Sequence, residues 1–185
     1  MQKSRLWIVT VAVIALTAVA VAQDSGMQNN SRKPPLSPPG TATLTFADGN
    51  TVTIDYSRPS MRSRKVFGGL VPYDQVWRTG ANAATSLKTS VDLNIGGTTV
   101  PKGSYTLYTL PGASGWQLIV NKQTGQWGTE YDKSKDLARI PLKVTQRSSG
   151  LELFTISFDK VGGNAGTLKL EWENTLASVD VKEAK

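Results

Sequence analysis

Beyond residue 40 the chain is written in short alternating runs separated by turn residues, and this alternation restricts what it can fold into. Thr41 to Ala47 and Thr51 to Tyr56 flank Asp48-Gly49-Asn50, with Leu44 and Phe46 on one face of the first run and Val52, Ile54 and Tyr56 in step on the second. Side chains alternate faces along a strand, and Asp-Gly between alternating runs is a strong hairpin signal, so these residues predict a tight hairpin. Leu87, Val91, Leu93 and Ile95 lead to Gly96-Gly97 and Thr98 to Val100, and Pro101-Lys102-Gly103 turns the chain into Ser104 to Leu110, another hairpin pair. Trp116 to Asn121 is apolar on both faces at Leu118, Ile119 and Val120, which places it centrally in a sheet. Leu137 to Arg147, Leu151 to Asp159, Thr167 to Glu173 and Thr175 to Lys182 complete the set, with turns at Ser148-Ser149-Gly150 and Gly162 to Gly166.

About nine or ten strands result. The 17 glycines and 9 prolines suit a turn-rich β protein and leave no place for a long helix. Pro72 to Val76 is the one site for a short helical turn, with proline supplying its first position. The expected fold is all-β, an antiparallel β-sandwich or flattened barrel of jelly-roll type, in one domain over residues 41–182.

Ahead of this domain, Lys3 and Arg5 precede an apolar run from Leu6 to Ala22 that ends in the small residues Ala20-Val21-Ala22. This is the pattern of a secretory signal peptide over residues 1–22, and it implies a periplasmic or extracellular protein with no membrane span after cleavage. An uncleaved anchor is the other reading, although the run is short of the roughly 20 residues that cross a bilayer. No cysteine follows the cleavage position, which excludes lipoprotein anchoring. Residues 23–40 include Pro34-Pro35 and Pro38-Pro39, hold too little apolar surface to fold, and read as an extended linker. Loss of Lys3 and Arg5 leaves 19 basic against 14 acidic residues, or +5. A solvated face explains that balance as well as an affinity for anionic envelope surfaces does. Nucleic acid is not an expected partner of an exported chain.

Cysteine and histidine are both absent. Stability therefore rests on packing and sheet hydrogen bonds, and the usual triad base, zinc ligand and neutral-pH proton shuttle are all missing. No nucleophile elbow, phosphate-binding loop or dinucleotide fingerprint occurs, and no metal or cofactor is expected. Glu171 and Glu173 lie on one side of a strand, roughly 7 Å apart, a separation open to a glycosidase. Leu168, Leu170 and Trp172 define the opposite, buried side, so the plainer reading is a wet face. Asp132-Lys133-Ser134-Lys135-Asp136 has the alternating oxygens of a calcium loop but lacks the glycine and distal glutamate, and its lysines oppose a cation. Ser157 and Lys160 match a Ser-x-x-Lys pattern that needs a helix, and here they end a strand.

What remains is a set of aromatic, arginine and amide residues. Tyr73, Trp77, Arg78 and Asn82 stand close together, and Trp127 and Tyr131 sit in the long polar loop from Lys122 to Asp136. Guanidinium groups fork onto oxyanions while ring faces stack on apolar patches, so Trp77, Arg78, Asn82, Trp127 and Tyr131 are the expected ligand-binding residues. The ligand class is a small polar or glycan-like molecule or an envelope component. The competing reading is a structural corner in which Trp77 is core and Arg78 and Asn82 satisfy loop carbonyls. A hydrolase of envelope polysaccharide or peptide, working through Asp74, Glu130 or Asp132, is the alternative function, and a structural envelope module is the third.

Ser57 to Ser60, Arg64 to Tyr73, Val76 to Asn82, Pro101 to Tyr108, Asn121-Lys122 and Gln126-Trp127-Gly128 follow in an order that resembles the bacterial family of unknown function DUF2911. The likeness covers about residues 41–182. It implies an exported bacterial domain without an assigned reaction and supplies no cofactor or catalytic residue. It also implies that Trp77, Arg78, Thr79, Gly80 and Asn82 belong to the family's characteristic block.

Overall fold

The hairpin at Asp48-Gly49-Asn50 starts the sheet of the computed structural model, which describes residues 36–184. β1 (Pro39–Thr45) and β2 (Thr51–Ser57) pair antiparallel, with Leu44 opposite Val52. Asp48 closes the turn between them by accepting a hydrogen bond from the Asn50 amide at 3.0 Å, as an Asx turn does. β1 thus begins within the expected linker; the expected signal segment and residues 23–35 lie outside the described residues.

β3 (Thr85–Thr89) pairs with β2. The short hairpin of β4 (Leu93–Ile95) and β5 (Thr98–Val100) leaves that sheet, and β6 (Gly103–Pro111) returns to pair with β3. β7 (Trp116–Asn121) pairs with β6 and is fifth in a nine-strand order, with Leu118, Ile119 and Val120 fully buried. β8 (Asp136–Gly162) and β9 (Ala165–Glu183) follow, and β4 docks on β9. Every strand pair is antiparallel, in the order β1-β2-β3-β6-β7-β8-β9-β4-β5. β1 and β5 do not pair with each other, so the sheet does not close into a barrel, and the architecture is that of an antiparallel β-sandwich or flattened barrel. No helix among the described residues is long and apolar enough to cross a membrane.

Three local expectations change. Ser148-Ser149-Gly150 does not reverse the chain: β8 runs through it as one strand of 27 residues and carries the sheet from β7 across to β9. The extra residues are absorbed as register shifts between Gln146 and Leu151 and between Leu151 and Thr155, facing a partner whose Glu173 takes φ +53°. β9 is likewise a single strand through Asn174 rather than two. Pro72 to Val76 makes no helical turn, because Asp74 is left-handed at φ +60° and its amide donates to the Pro111 carbonyl at 2.7 Å.

The chain leaving β2 crosses to the second half of β8. The Phe154 amide donates to the Pro59 carbonyl, the Met61 amide donates to the Glu152 carbonyl, both at 2.9 Å, and the Tyr56 hydroxyl accepts from the Ile156 amide at 2.8 Å. Between these layers lies an aromatic cluster. Trp77 stacks on Trp172 with centroids 5.6 Å apart and planes 19° from parallel, and Phe154 meets Trp77 edge-on at 4.9 Å. Leu168, Leu170 and Trp172 form the buried side of β9, as their alternation predicts.

Candidate functional site

Trp77 is held at both ends. Its backbone makes a two-bond antiparallel bridge with Thr109, at 2.8 and 2.9 Å, while its ring packs in the aromatic cluster. The chain then bends through Thr79, which is fully buried and left-handed at φ +52°. That conformation is costly for a β-branched residue, on the order of 1–2 kcal/mol. Neighbouring hydroxyls hold it there: Thr85 donates to the Thr79 carbonyl at 2.8 Å, and the Thr79 hydroxyl lies 3.2 Å from that of Thr109. Asn82 is a second left-handed residue, at φ +59°. The two bends set the course of the backbone on either side of Ala81 and place Arg78 and Asn82 on one cleft.

The long loop supplies the facing wall. Its strip from Gln126 to Gly128 pairs with Asn82 to Ala84: the Gly128 amide donates to the Asn82 carbonyl at 3.0 Å and the Ala84 amide to the Gln126 carbonyl at 3.2 Å. Tyr131 follows and is fixed by a charged network. Its hydroxyl donates to Asp136 at 2.6 Å and accepts from Arg139 at 2.7 Å, and Asn121 donates to the other Asp136 oxygen at 2.9 Å. Burial first, then the bond and charge of Asp136, push the Tyr131 phenol up to about 12. The hydroxyl of Tyr108 is engaged too, donating to the Glu130 carbonyl at 2.9 Å and accepting from Gln126 at 3.0 Å.

These elements enclose a cleft of about 530 Å³. Trp77, Arg78 and Asn82 line it from the strained turn, Tyr131 and Gly128 from the loop, and Arg64 from the segment after β2. Trp172 and Tyr108 also line it, and Leu70 stands exposed among the lining residues. Four of the five expected residues therefore share one cleft. Trp127 does not line it: its backbone bridges Ala83 while its side chain is 52% exposed.

The corner reading describes Trp77, which is packed against core aromatics, better than it describes Arg78 and Asn82. The Arg78 Nε reaches the Gly80 carbonyl only at 3.4 Å, and the Asn82 amide reaches the Ser57 hydroxyl only at 3.4 Å. Among the described residues neither Arg78 nor Arg64 has a carboxylate at ion-pair distance. Arg64 instead donates to the Met61 and Ser60 carbonyls, both at 2.9 Å.

Among the described residues no carboxylate lines the cleft. Asp74 lies at a separate hollow beside Gly112 and Trp116. Asp132 accepts from the amide and hydroxyl of Ser134 at 2.8 and 2.7 Å, which caps the 3-10 turn Lys133–Lys135 and lowers its carboxyl from the usual range. Glu171 pairs with Arg147, and Glu173 accepts from the Val66 amide at 3.3 Å. Among the described residues no cluster of three or more acidic side chains is grouped as a metal site would need.

The sequence reading omitted Arg64, Tyr108, Leu70 and Trp172 from the site. Arg64 carried a signal in Arg62-Ser63-Arg64-Lys65, a basic run just ahead of an apolar one. For Trp172 the strand pattern points to the core, and it is indeed buried; Tyr108 lies in the expected strand from Ser104 to Leu110, without a face assigned to it, and is buried as well.

The sequence model of one protein family matches residues 37–181, well over half of the chain. The chain belongs to DUF2911. The family is described as a protein of unknown function, so membership fixes the domain's kinship and bears out the resemblance of the ordered motifs, without assigning a ligand. No curated protein and no solved structure matches the chain. Within this DUF2911 domain the matched span holds both strips whose backbones pair beside the cleft, Asn82 to Ala84 and Gln126 to Gly128.

Proposed function

We propose that this DUF2911 protein is an exported binding module, periplasmic or extracellular, whose cleft holds a small polar or glycan-like ligand of the cell envelope. The observation that carries this reading is the convergence of Trp77, Arg78, Asn82 and Tyr131, from two separated segments, on one cleft that no carboxylate among the described residues lines. A cleft of about 530 Å³ suits a small molecule or a few sugar units. Tyr131 has an engaged hydroxyl and so offers mainly ring carbon to a ligand, the surface on which the apolar face of a sugar packs, and the buried Tyr108 ring backs it edge-on at 4.9 Å. Arg78 and Asn82 supply donors and an amide acceptor for hydroxyl or acid groups. A carboxylate-dependent hydrolase needs an acid at the reacting bond, and Asp74, Glu130 and Asp132 do not line this cleft.

Calorimetric titration of the full chain with soluble peptidoglycan and lipopolysaccharide-core fragments tests this. Saturable binding that weakens in Arg78→Ala, with no product released from the fragment, is the expected result. Cleavage of a fragment that stops in Glu130→Gln or Asp132→Asn would overturn it in favour of the hydrolase. Cell fractionation tests the compartment, and recovery of the protein in the cytoplasm with residues 1–22 retained would overturn the export reading.

A further inference from the structure

Among the described residues the charges on the cleft are all of one sign: Arg78 and Arg64 line it, and no acidic side chain does. Arg78 is half-buried, with only one long hydrogen bond among the described residues, from Nε to the Gly80 carbonyl. A partly desolvated guanidinium with open donors is unfavourable until an acceptor arrives, and a paired anion is the acceptor that best matches its planar fork. Arg64 is oriented by two carbonyls, which use Nε and Nη2 and leave Nη1 without a partner among the described residues. Its loop adds exposed Arg62 and Lys65, and the acid closest to that loop in bonding, Glu152, already accepts from the Ser60 hydroxyl and from the Arg62 amide at 2.8 Å.

The aromatic residues restrict the rest of the ligand. With the hydroxyls of Tyr131 and Tyr108 engaged, polar discrimination falls to the two arginines, to Ser37 and Thr129, and to Asn82, whose side-chain oxygen has no donor among the described residues. Resting on the binding reading above, we infer that the cleft takes an acidic saccharide. Its oxyanion, a carboxylate or a phosphate, sits at Arg78 and Arg64, a ring hydroxyl donates to Asn82, and an apolar ring face lies against Tyr131.

Two matched pairs of probes isolate the charge: trigalacturonate against its methyl ester, and glucose 6-phosphate against glucose, each titrated into the full chain. The acid of at least one pair should bind about tenfold more tightly than its neutral partner and weaken as salt is raised from about 0.05 to 0.5 M. Arg78→Gln and Arg64→Gln should each remove most of that preference, lowering the affinity for the acid far more than that for its neutral partner. Arg64 is exposed, so its variant reports even where the Arg78 variant is unstable, and thermal melting identifies that case. Whichever pair shows the preference identifies carboxylate or phosphate. Equal binding of acid and neutral partners, unmoved by salt, would overturn the oxyanion and leave the binding reading standing. Failure of all four probes to bind would overturn this inference alone, provided that the envelope fragments bind; if those fail too, both readings fall.

Discussion

Gly128 lies directly against Arg78. A Cβ built on Gly128 would stand 2.6 Å from the Arg78 Cδ and 2.8 Å from the Asn82 carbonyl oxygen. The arginine stem can give way, but the carbonyl is backbone held by the Gly128 amide itself. Gly128→Ala should therefore displace Arg78 and spread the paired strips, costing about 1–3 kcal/mol as overpacking does. Urea unfolding measures the loss, and ligand titration should show binding reduced together with it. An alanine variant with unchanged stability and binding would mean that the loop moves freely away from Arg78.

The left-handed Thr79 depends on Thr85 for its carbonyl partner, and both residues are fully buried. Thr85→Val keeps the shape and removes the donor. An unsatisfied buried carbonyl costs about 1–3 kcal/mol, and the turn that places Arg78 loses its tie. Thr85→Ser keeps the hydroxyl and should recover most of the difference in chemical unfolding. Equal destabilisation by valine and serine would assign the effect to packing instead.

Tyr131 makes stability depend on alkaline pH. Its folded phenol is raised from 10.0 to about 12, so the folded state holds the proton more tightly than the unfolded state. The associated stability is fully present below about 10 and is lost as pH rises through about 12. Tyr105 and Tyr108 are also raised by burial, so the informative quantity is the difference between the wild type and Tyr131→Phe. The variant should be the less stable at neutral pH, by about 1 kcal/mol for a lost hydrogen bond, and the gap should close between those two values. Urea midpoints across that range measure it, and a gap constant with pH would remove Tyr131 from the titration.

The parts of this fold legible in the sequence are those decided within one strand or one turn. Leu44 and Phe46, the Asp48-Gly49-Asn50 turn, and the doubly buried Leu118 to Val120 each state their environment through alternation or turn chemistry. Ser148-Ser149-Gly150 is different, because whether such a tripeptide turns or bulges depends on the partner it meets, and β9 runs alongside it. The same holds in the site. Arg78 and Asn82 were within reach because the strained turn carries both. Arg64 reaches the cleft only because the segment after β2 is bound to Glu152 and Phe154, which no local pattern announces. Trp127 had the right composition and a neighbouring backbone, but a ring's facing is set by tertiary packing, and its ring faces outward.

The clasp between the Ser60 segment and β8 also sets a clock. Glu152 stands 92 residues after Ser60, and Trp172, which backs the same cleft, comes later still. Chains are made from the N-terminus, and contacts between distant residues close late and slowly. During synthesis Arg64, Arg78 and Asn82 emerge long before the strands that hold them. The cleft is therefore among the last features of the molecule to exist, and a chain truncated between Arg78 and β9 carries both arginines of the cleft without having the site.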